Sequence, residues 1–184
     1  VRLMNFSTDS LRGLLAGDGL SSPNRWMVVL PNISGKTKVA GGSPGDYNAN
    51  DLNVLCTNAR IPQKTARTIE RQMGAVSTRA AIGFEPGEAN FSFYLTHNYT
   101  VRKYFQDWMD CVVSHKPPYQ VGFFDEYKAN ILVQQLDKKG NFSYYTNLIE
   151  CFPTNIAEIE LNNQAQQAAL ELTVTIAFKD YEAR

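Results

Sequence analysis

Ser34-Gly35-Lys36-Thr37 has the residues that close a phosphate-binding loop, a lysine for the phosphates and a hydroxyl for the metal. That loop also needs a glycine five positions before Gly35, where Leu30 stands, followed by Pro31. No strand leads straight into a helix here, so nucleotide binding is not expected. His97 and His115 are the only histidines. A histidine-based triad needs a serine or cysteine beside one of them. Nothing in the sequence supplies that pairing, and the two fall at the ends of a strand pattern and a helix pattern. Cys56, Cys111 and Cys151 are too far apart for a zinc spacing or a disulfide framework. They read as buried or partly buried free thiols in a reducing compartment. Asp107 and Asp110 fall on the outer side of the expected helix and read as solvated. The chain is therefore expected to be no enzyme and to hold no metal or cofactor.

What must position these residues is a single domain over 1–184, long enough to bury a core without disulfides or metals. Lysine plus arginine equals aspartate plus glutamate at 18 each, so overall charge points to neither nucleic acid nor a membrane surface. No apolar run approaches the ~18 residues that span a bilayer. The first twenty residues carry polar groups throughout, so no secretory signal is expected.

Along the chain, residues 3–16 suggest a short helix inside an N-terminal extension over 1–21. "RWMVVLP" (25–31) reads as a buried strand that Pro31 closes. The Gly-, Ser- and Asn-rich stretch 32–51 reads as one long loop. Strand patterns follow at 52–59, 65–73, 77–84 and 91–97, the last with Phe91, Phe93 and Leu95 on one face. Val101, Tyr104, Phe105, Trp108 and Val112 recur at i, i+3, i+4, i+7 and i+11, which makes an amphipathic helix over about 98–115. Asn98 or Thr100 would cap its start, His115 and Lys116 would suit its C-terminal end, and Pro117 and Pro118 would stop it. Two strands joined by a turn at "DKKGN" come next. "CFPTNIAEIEL" (151–161) reads as a Pro-Thr-Asn corner between strands, and residues 169–178 alternate as the clearest strand of all. The expected fold is mainly β, an antiparallel sandwich or barrel with one packed helix.

Charge is unevenly spread. Between 60 and 79, Arg60, Lys64, Arg67, Arg71 and Arg79 face only Glu70, net +4. Between 150 and 182, Glu150, Glu158, Glu160, Glu171, Asp180 and Glu182 face only Lys179, net −5. One reading is alternation on exposed strand faces. A second is that one segment meets the opposite segment of a neighbouring copy in a head-to-tail contact. A third, a basic strand for nucleic acid, is disfavoured because no aromatic residues are interleaved with the basic ones.

The order of these motifs resembles the tail tube proteins of contractile-tailed bacteriophages and the related inner-tube proteins of contractile injection systems. The resemblance rests on "SPNRWMVVL" with Trp26, "LCTNARIPQKTARTIERQMG" with Pro62, and "ANFSFYLTHNYTVRKYFQDWMD" with Trp108. It continues through "EYKANILVQQLDKKGN", "LIECFPTNIAEIELN" with Phe152, Pro153, Thr154 and Asn155, and "LELTVTIAFKDYE" with Tyr181, so that it covers roughly residues 22–182. The resemblance implies a virion protein of the tail, assembled in the bacterial host cytoplasm. Hexameric rings would stack into a tube that conducts DNA without gripping it. The implied partners are other copies of the chain, the tail sheath, a tape-measure protein in the lumen and baseplate or tube-initiator proteins, with no membrane. Arg60, Lys64, Arg67, Arg71, Glu158, Glu160 and Glu171 are the candidate contacts between subunits. A tube-initiator or baseplate-proximal role, and a ligand-binding β-barrel module, are the alternatives.

Overall fold

The computed structural model describes residues 23–63, 65–74, 76–85, 87–117, 119–161 and 169–184. The helix expected over 3–16 lies outside the described residues, as does Lys64. In chain order the elements begin with β1 (Trp26–Val29), α1 (Ala49–Val54), β2 (Cys56–Ala59), β3 (Thr65–Met73), β4 (Val76–Glu85) and β5 (Glu88–Tyr94). There follow α2 (Thr100–Val112), α3 (Phe124–Tyr127), β6 (Ala129–Leu136), β7 (Phe142–Ile156), β8 (Glu171–Ala177) and β9 (Asp180–Ala183).

β7 organises the rest. Its first half lies between β6 and β9, with Thr146 opposite both Val133 and Ala183. Its second half pairs with β8, from Phe152 opposite Ala177 to Ile156 opposite Val174. The strand order is β1-β6-β7-β8-β5-β2, all antiparallel. One strand therefore serves two sheets, the arrangement that bulges make at the corner of a sandwich. Two register shifts mark the corner, one opposite Ala129 and Ile131 and one between Pro153 and Asn155. Glu150 sits in the first with φ 51, a left-handed conformation that costs a non-glycine residue energy. Its backbone N–H donates to Asn130 Oδ1 at 3.1 Å, so the bulge leaves that donor satisfied. Its carboxylate accepts from Lys128 Nζ at 2.8 Å and Lys179 Nζ at 2.6 Å, and these two lysines hold its pKa below the usual value.

The Pro-Thr-Asn stretch expected as a turn between strands is thus a bulge inside one. Pro153 is buried and lacks the N–H a central ladder would need, and Thr154 Oγ1 donates to Thr175 O at 3.2 Å instead. The sandwich is open: β1 and β2 stand at the two ends of the path, and the described residues form no closed barrel. Accordingly β1 is a half-buried edge strand, not the fully buried one expected, with Met27 exposed and Val28 inside.

Alternation decides what faces inward. Ala89, Phe91 and Phe93 of β5 and Leu172, Val174 and Ile176 of β8 are all buried, as are Ile131, Val133 and Leu148 of the other sheet. Burying each of these side chains other than Ala89 stabilises the fold by about 1.5–3 kcal/mol. α2 closes the core with the five apolar residues its spacing predicts, together with Cys111. Trp108 stacks on Phe105 and donates its Nε1–H to Tyr127 O at 2.9 Å, while Tyr104 donates its hydroxyl to Pro31 O at 2.7 Å.

The ends of α2 differ from expectation. The N-cap is Tyr99 at φ 54, with no side-chain cap, so neither Asn98 nor Thr100 plays that part. The helix stops at Val112 because Val113 is extended and bridges to Val121, which leaves His115 and Lys116 beyond the last turn. Two short helices also went unforeseen. α1 occupies positions 52–54, read as strand, because Asn48 caps it through its side chain and Leu52 is buried.

Asp107 is not solvated: its side chain is 18% exposed. It accepts from Lys38 Nζ at 2.6 Å, Gly45 N at 2.8 Å and the Tyr47 hydroxyl at 2.7 Å, and so fastens the long loop to α2. Burial alone would raise its pKa, but these three donors outweigh burial and hold it below 3.8. Its folded value being depressed, the stabilisation is fully present above the ordinary aspartate range and is lost as pH falls through the lowered value. Acidification below the usual 3.8 should therefore loosen the 38–47 loop before the core, seen as early loss of amide protection there. Asp107→Asn should lower protection of the same amides about tenfold at pH 7.

Candidate assembly interface

Elements positioned only by each other are where a partner is needed, and β3–β4 is such a pair. The two strands pair from Thr65–Glu85 to Met73–Val76, turn at Gly74 (φ 62), and bond to no other strand among the described residues. Every side chain from Thr65 to Gln72 is exposed. A two-stranded hairpin alone in water is marginal, and both its edges carry unpaired backbone groups.

Alternation puts Arg67, Ile69 and Arg71 on one face, the isoleucine 44% exposed between two guanidinium groups. Glu70 is on the other face, opposite Arg79, and accepts from the Ser77 hydroxyl at 2.6 Å. The expected basic segment is therefore sided. Arg60 lies apart from it, exposed just after β2, with its N–H on Asn90 O.

The acidic segment is less uniform than its sequence suggests. Glu150 is taken by Lys128 and Lys179 at the β7 corner, so it belongs to the fold. Glu158 and Glu160 lie exposed in the coil after β7, and Glu171 begins β8 opposite Tyr94. Among the described residues no ion pair joins the two segments within the chain; the pairs present are those of Lys38, Lys128 and Lys179.

The remaining motif residues support the fold. Trp26 packs half-buried against the core, Pro62 is buried, and Trp108 is fully enclosed. Phe152 meets Tyr127 and Phe124 edge-on, and Tyr181 does the same to Phe178 at 6.0 Å. Thr154 and Asn155 are exposed on the bulge. No group of three or more metal-ligating side chains converges among the described residues. No helix among them is long and apolar enough to cross a membrane.

A model of the family described as "Phage tail tube protein" matches residues 21–184. The chain belongs to that family. It is thus a structural component of a phage or phage-like tail particle, and no enzyme. The structure of this tail tube family member is similar to the tube-terminating cap of the anti-feeding prophage. That match has a TM-score of 0.61 at 14% identity and covers 90% of this chain and 91% of the other. It is similar also to a chain of the sheath-tube complex of the extracellular contractile injection system PVC in its extended state, with a TM-score of 0.60 at 13% identity over 97% of both chains. A chain of the sheath/tube terminator of the same system gives 0.60 at 13%, covering 89% of this chain and 95% of that one. At such identities the likeness is one of fold. A comparison with curated proteins finds no match.

Sequence reasoning missed three parts of this surface. The Asp107 fastening joins positions 60 and more residues apart in sequence, so no local pattern announces it. Glu150 has no turn signal beside it. The segment "KPPYQVGFFDEY" (116–127) reads only as longer than in the compact members of the family it resembles, although the apolar residues Tyr119, Val121 and Phe123 at every second position were there to be seen.

Proposed function

We propose that this chain is the subunit of the inner tube of a contractile tail, assembling as hexameric rings that stack around a lumen through which DNA passes. The observation that carries this is the β3–β4 hairpin, held by no other strand among the described residues and presenting Arg67, Ile69 and Arg71 to solvent. Its natural complement is exposed acid on the next copy, and Glu158, Glu160 and Glu171, each exposed, can provide it. Because the two patches differ, the contact is head-to-tail, which closes a ring or extends a stack. The open edges β1 and β2 give each subunit two more strand ends for a neighbour. The mechanism is passive, with sheath, tape-measure and baseplate proteins as the partners outside, within and below the tube.

Electron microscopy of the purified chain across a concentration series tests this. Long hollow tubes support the main-tube role. Single rings that never extend favour a tube-initiator or terminating role, a reading encouraged by the terminator caps among the similar folds. Monomers throughout would sink the proposal. Arg67→Glu with Arg71→Glu should raise the concentration needed for assembly roughly tenfold at low salt. The gap should narrow as salt is added. Assembly unchanged at every salt concentration would show that these arginines do not sit at the interface.

A further inference from the structure

Tyr119, Val121 and Phe123 are 70%, 68% and 78% exposed. Val121 and Phe123 stand two apart in extended backbone and so share one face, and Tyr119 stands beside them at the turn that opens the segment, with φ 51 and its N–H on Lys116 O. This segment is not loose. Val121 bridges Val113, Ser114 N–H donates to Gln120 O at 2.9 Å, and Gly122 N–H donates to Val112 O at 2.8 Å. An apolar face held in shape and left in water marks a protein contact.

A receptive groove lies elsewhere on the same chain. Between the edge strands β1 and β2 is a space of about 480 Å³ whose walls include Trp26, Ile61, Val133 and Tyr144. Thr146 also lines it, is 1% exposed, and its Oγ1 has no hydrogen-bond partner among the described residues. A buried hydroxyl without a partner costs free energy that an incoming polar group would recover.

The apolar segment and the groove lie at opposite ends of β6. Segment 119–124 leads through α3 into Ala129, whereas the groove is lined by Val133 and Gln135. Six residues of strand separate Ala129 from Gln135, about 20 Å. One chain cannot bring the two together, but two copies can. Charge agrees with this. Glu126 stands exposed just beyond Phe124, beside Asp125, which Lys128 pairs at 2.6 Å, while Arg25, Lys138 and Lys139 outnumber Asp137 at the groove end of β6, where Arg25 donates to Lys138 O, and Arg60 adjoins Ile61.

From these observations we infer that Tyr119, Val121 and Phe123 of one copy seat in the β1–β2 groove of the next, with the Thr146 hydroxyl bonded there by a polar group of the incoming segment. The inference rests on the assembly reading and names one of its contacts, distinct from the arginine face of the hairpin. Since knob and groove lie at opposite ends of one strand, the contact propagates along the direction of that strand.

The test mixes two single-site variants in a Cys56→Ser background, Val121→Cys and Tyr144→Cys, under conditions where the chain assembles. A disulfide between the two chains, formed in the assembled fraction and absent from dilute monomer, is expected, because the bond requires Cα atoms within about 7 Å. Thr146→Val adds a readout that a purely structural role would not give. Monomer melting should hold or rise, since an unpaired hydroxyl is removed, while the assembly concentration rises roughly tenfold. Phe123→Ser, at an exposed position, should leave monomer melting unchanged and weaken assembly. Tubes that form normally from Phe123→Ser, with no cross-link between the cysteine variants, overturn this contact and leave the assembly reading standing. A wild-type chain that never assembles overturns both.

Discussion

Trp108→Ala should cost about 3–5 kcal/mol of stability, the largest single effect expected in this chain. Three contributions combine. The indole is fully buried and lies within the cluster that joins α2 to both sheets, so its removal leaves a cavity where the layers meet. Its ring stacks on Phe105 and meets Tyr104 edge-on, contacts that alanine cannot replace. Its Nε1–H is the donor to Tyr127 O, at the end of α3, which is left buried without it. Urea unfolding at dilutions below assembly measures the sum. Trp108→Phe separates the terms: it keeps most of the volume and should cost only about 1–3 kcal/mol for the lost hydrogen bond and the unfilled space. An alanine variant as stable as the parent would show that α2 does not close the core. Domains commonly have about 5–15 kcal/mol in total, so this one change removes a large share of the stability and should lower the melting temperature and raise the concentration needed for assembly.

Gly122→Ala is the second large effect, and it acts through the backbone. A Cβ there would lie 2.5 Å from Cys111 O, 3.2 Å from Val39 Cγ2 and 3.5 Å from Tyr127 Cδ1. The first neighbour is the carbonyl of a residue in the last turn of α2 and cannot rotate away as a side chain could. The segment must therefore lift off the helix, breaking the Gly122–Val112 hydrogen bond, at a cost of about 1–3 kcal/mol. Gly35→Ala serves as control, since nothing lies within 4 Å of its Cβ position, and it should change stability by no more than about 0.5 kcal/mol. Because Gly122 lies between Val121 and Phe123, its alanine variant should also impair assembly beyond what its stability loss explains. Melting temperature and assembly concentration, plotted together for both variants, check this.

Much of the fold was legible because its signals are local. The i, i+3, i+4, i+7 spacing from Val101 to Val112 reports one face of a helix whatever else the chain does, and all five residues are buried. The period-two runs at Phe91–Phe93 and Leu172–Ile176 likewise give strands and their inner faces. The hairpin turn at Asp137–Asn141 follows from its own glycine, at φ 82. What failed was what distant residues decide. Tyr99 is a cap without cap chemistry because the chain must turn there from β5 into α2. Asp107 looks solvated on a helical wheel and becomes enclosed only when a loop from sixty positions earlier folds over it. Pro-Thr-Asn reads as a turn, and its setting as a bulge depends on β8 arriving alongside. The candidate interface was legible as charge, not as geometry. Alternation did place Arg67 and Arg71 together, but Glu150 lost its place in the acidic group to two lysines at the corner.

That corner has a consequence for how the chain folds and fails. Because β7 belongs to both sheets, neither sheet can melt and leave the other with its strands paired. Loss of β8 from Phe152–Ile156 frees the same strand that β6 and β9 hold a few residues earlier. The pairings also join remote parts of the chain, β5 to β8 across some eighty residues, so folding must close long loops before it gains their contacts. The seven-stranded body, the separate β3–β4 hairpin aside, should therefore fold slowly and unfold in one cooperative step. A wall built from such units would have no subunit with one sheet melted and the other intact through which it could begin to open.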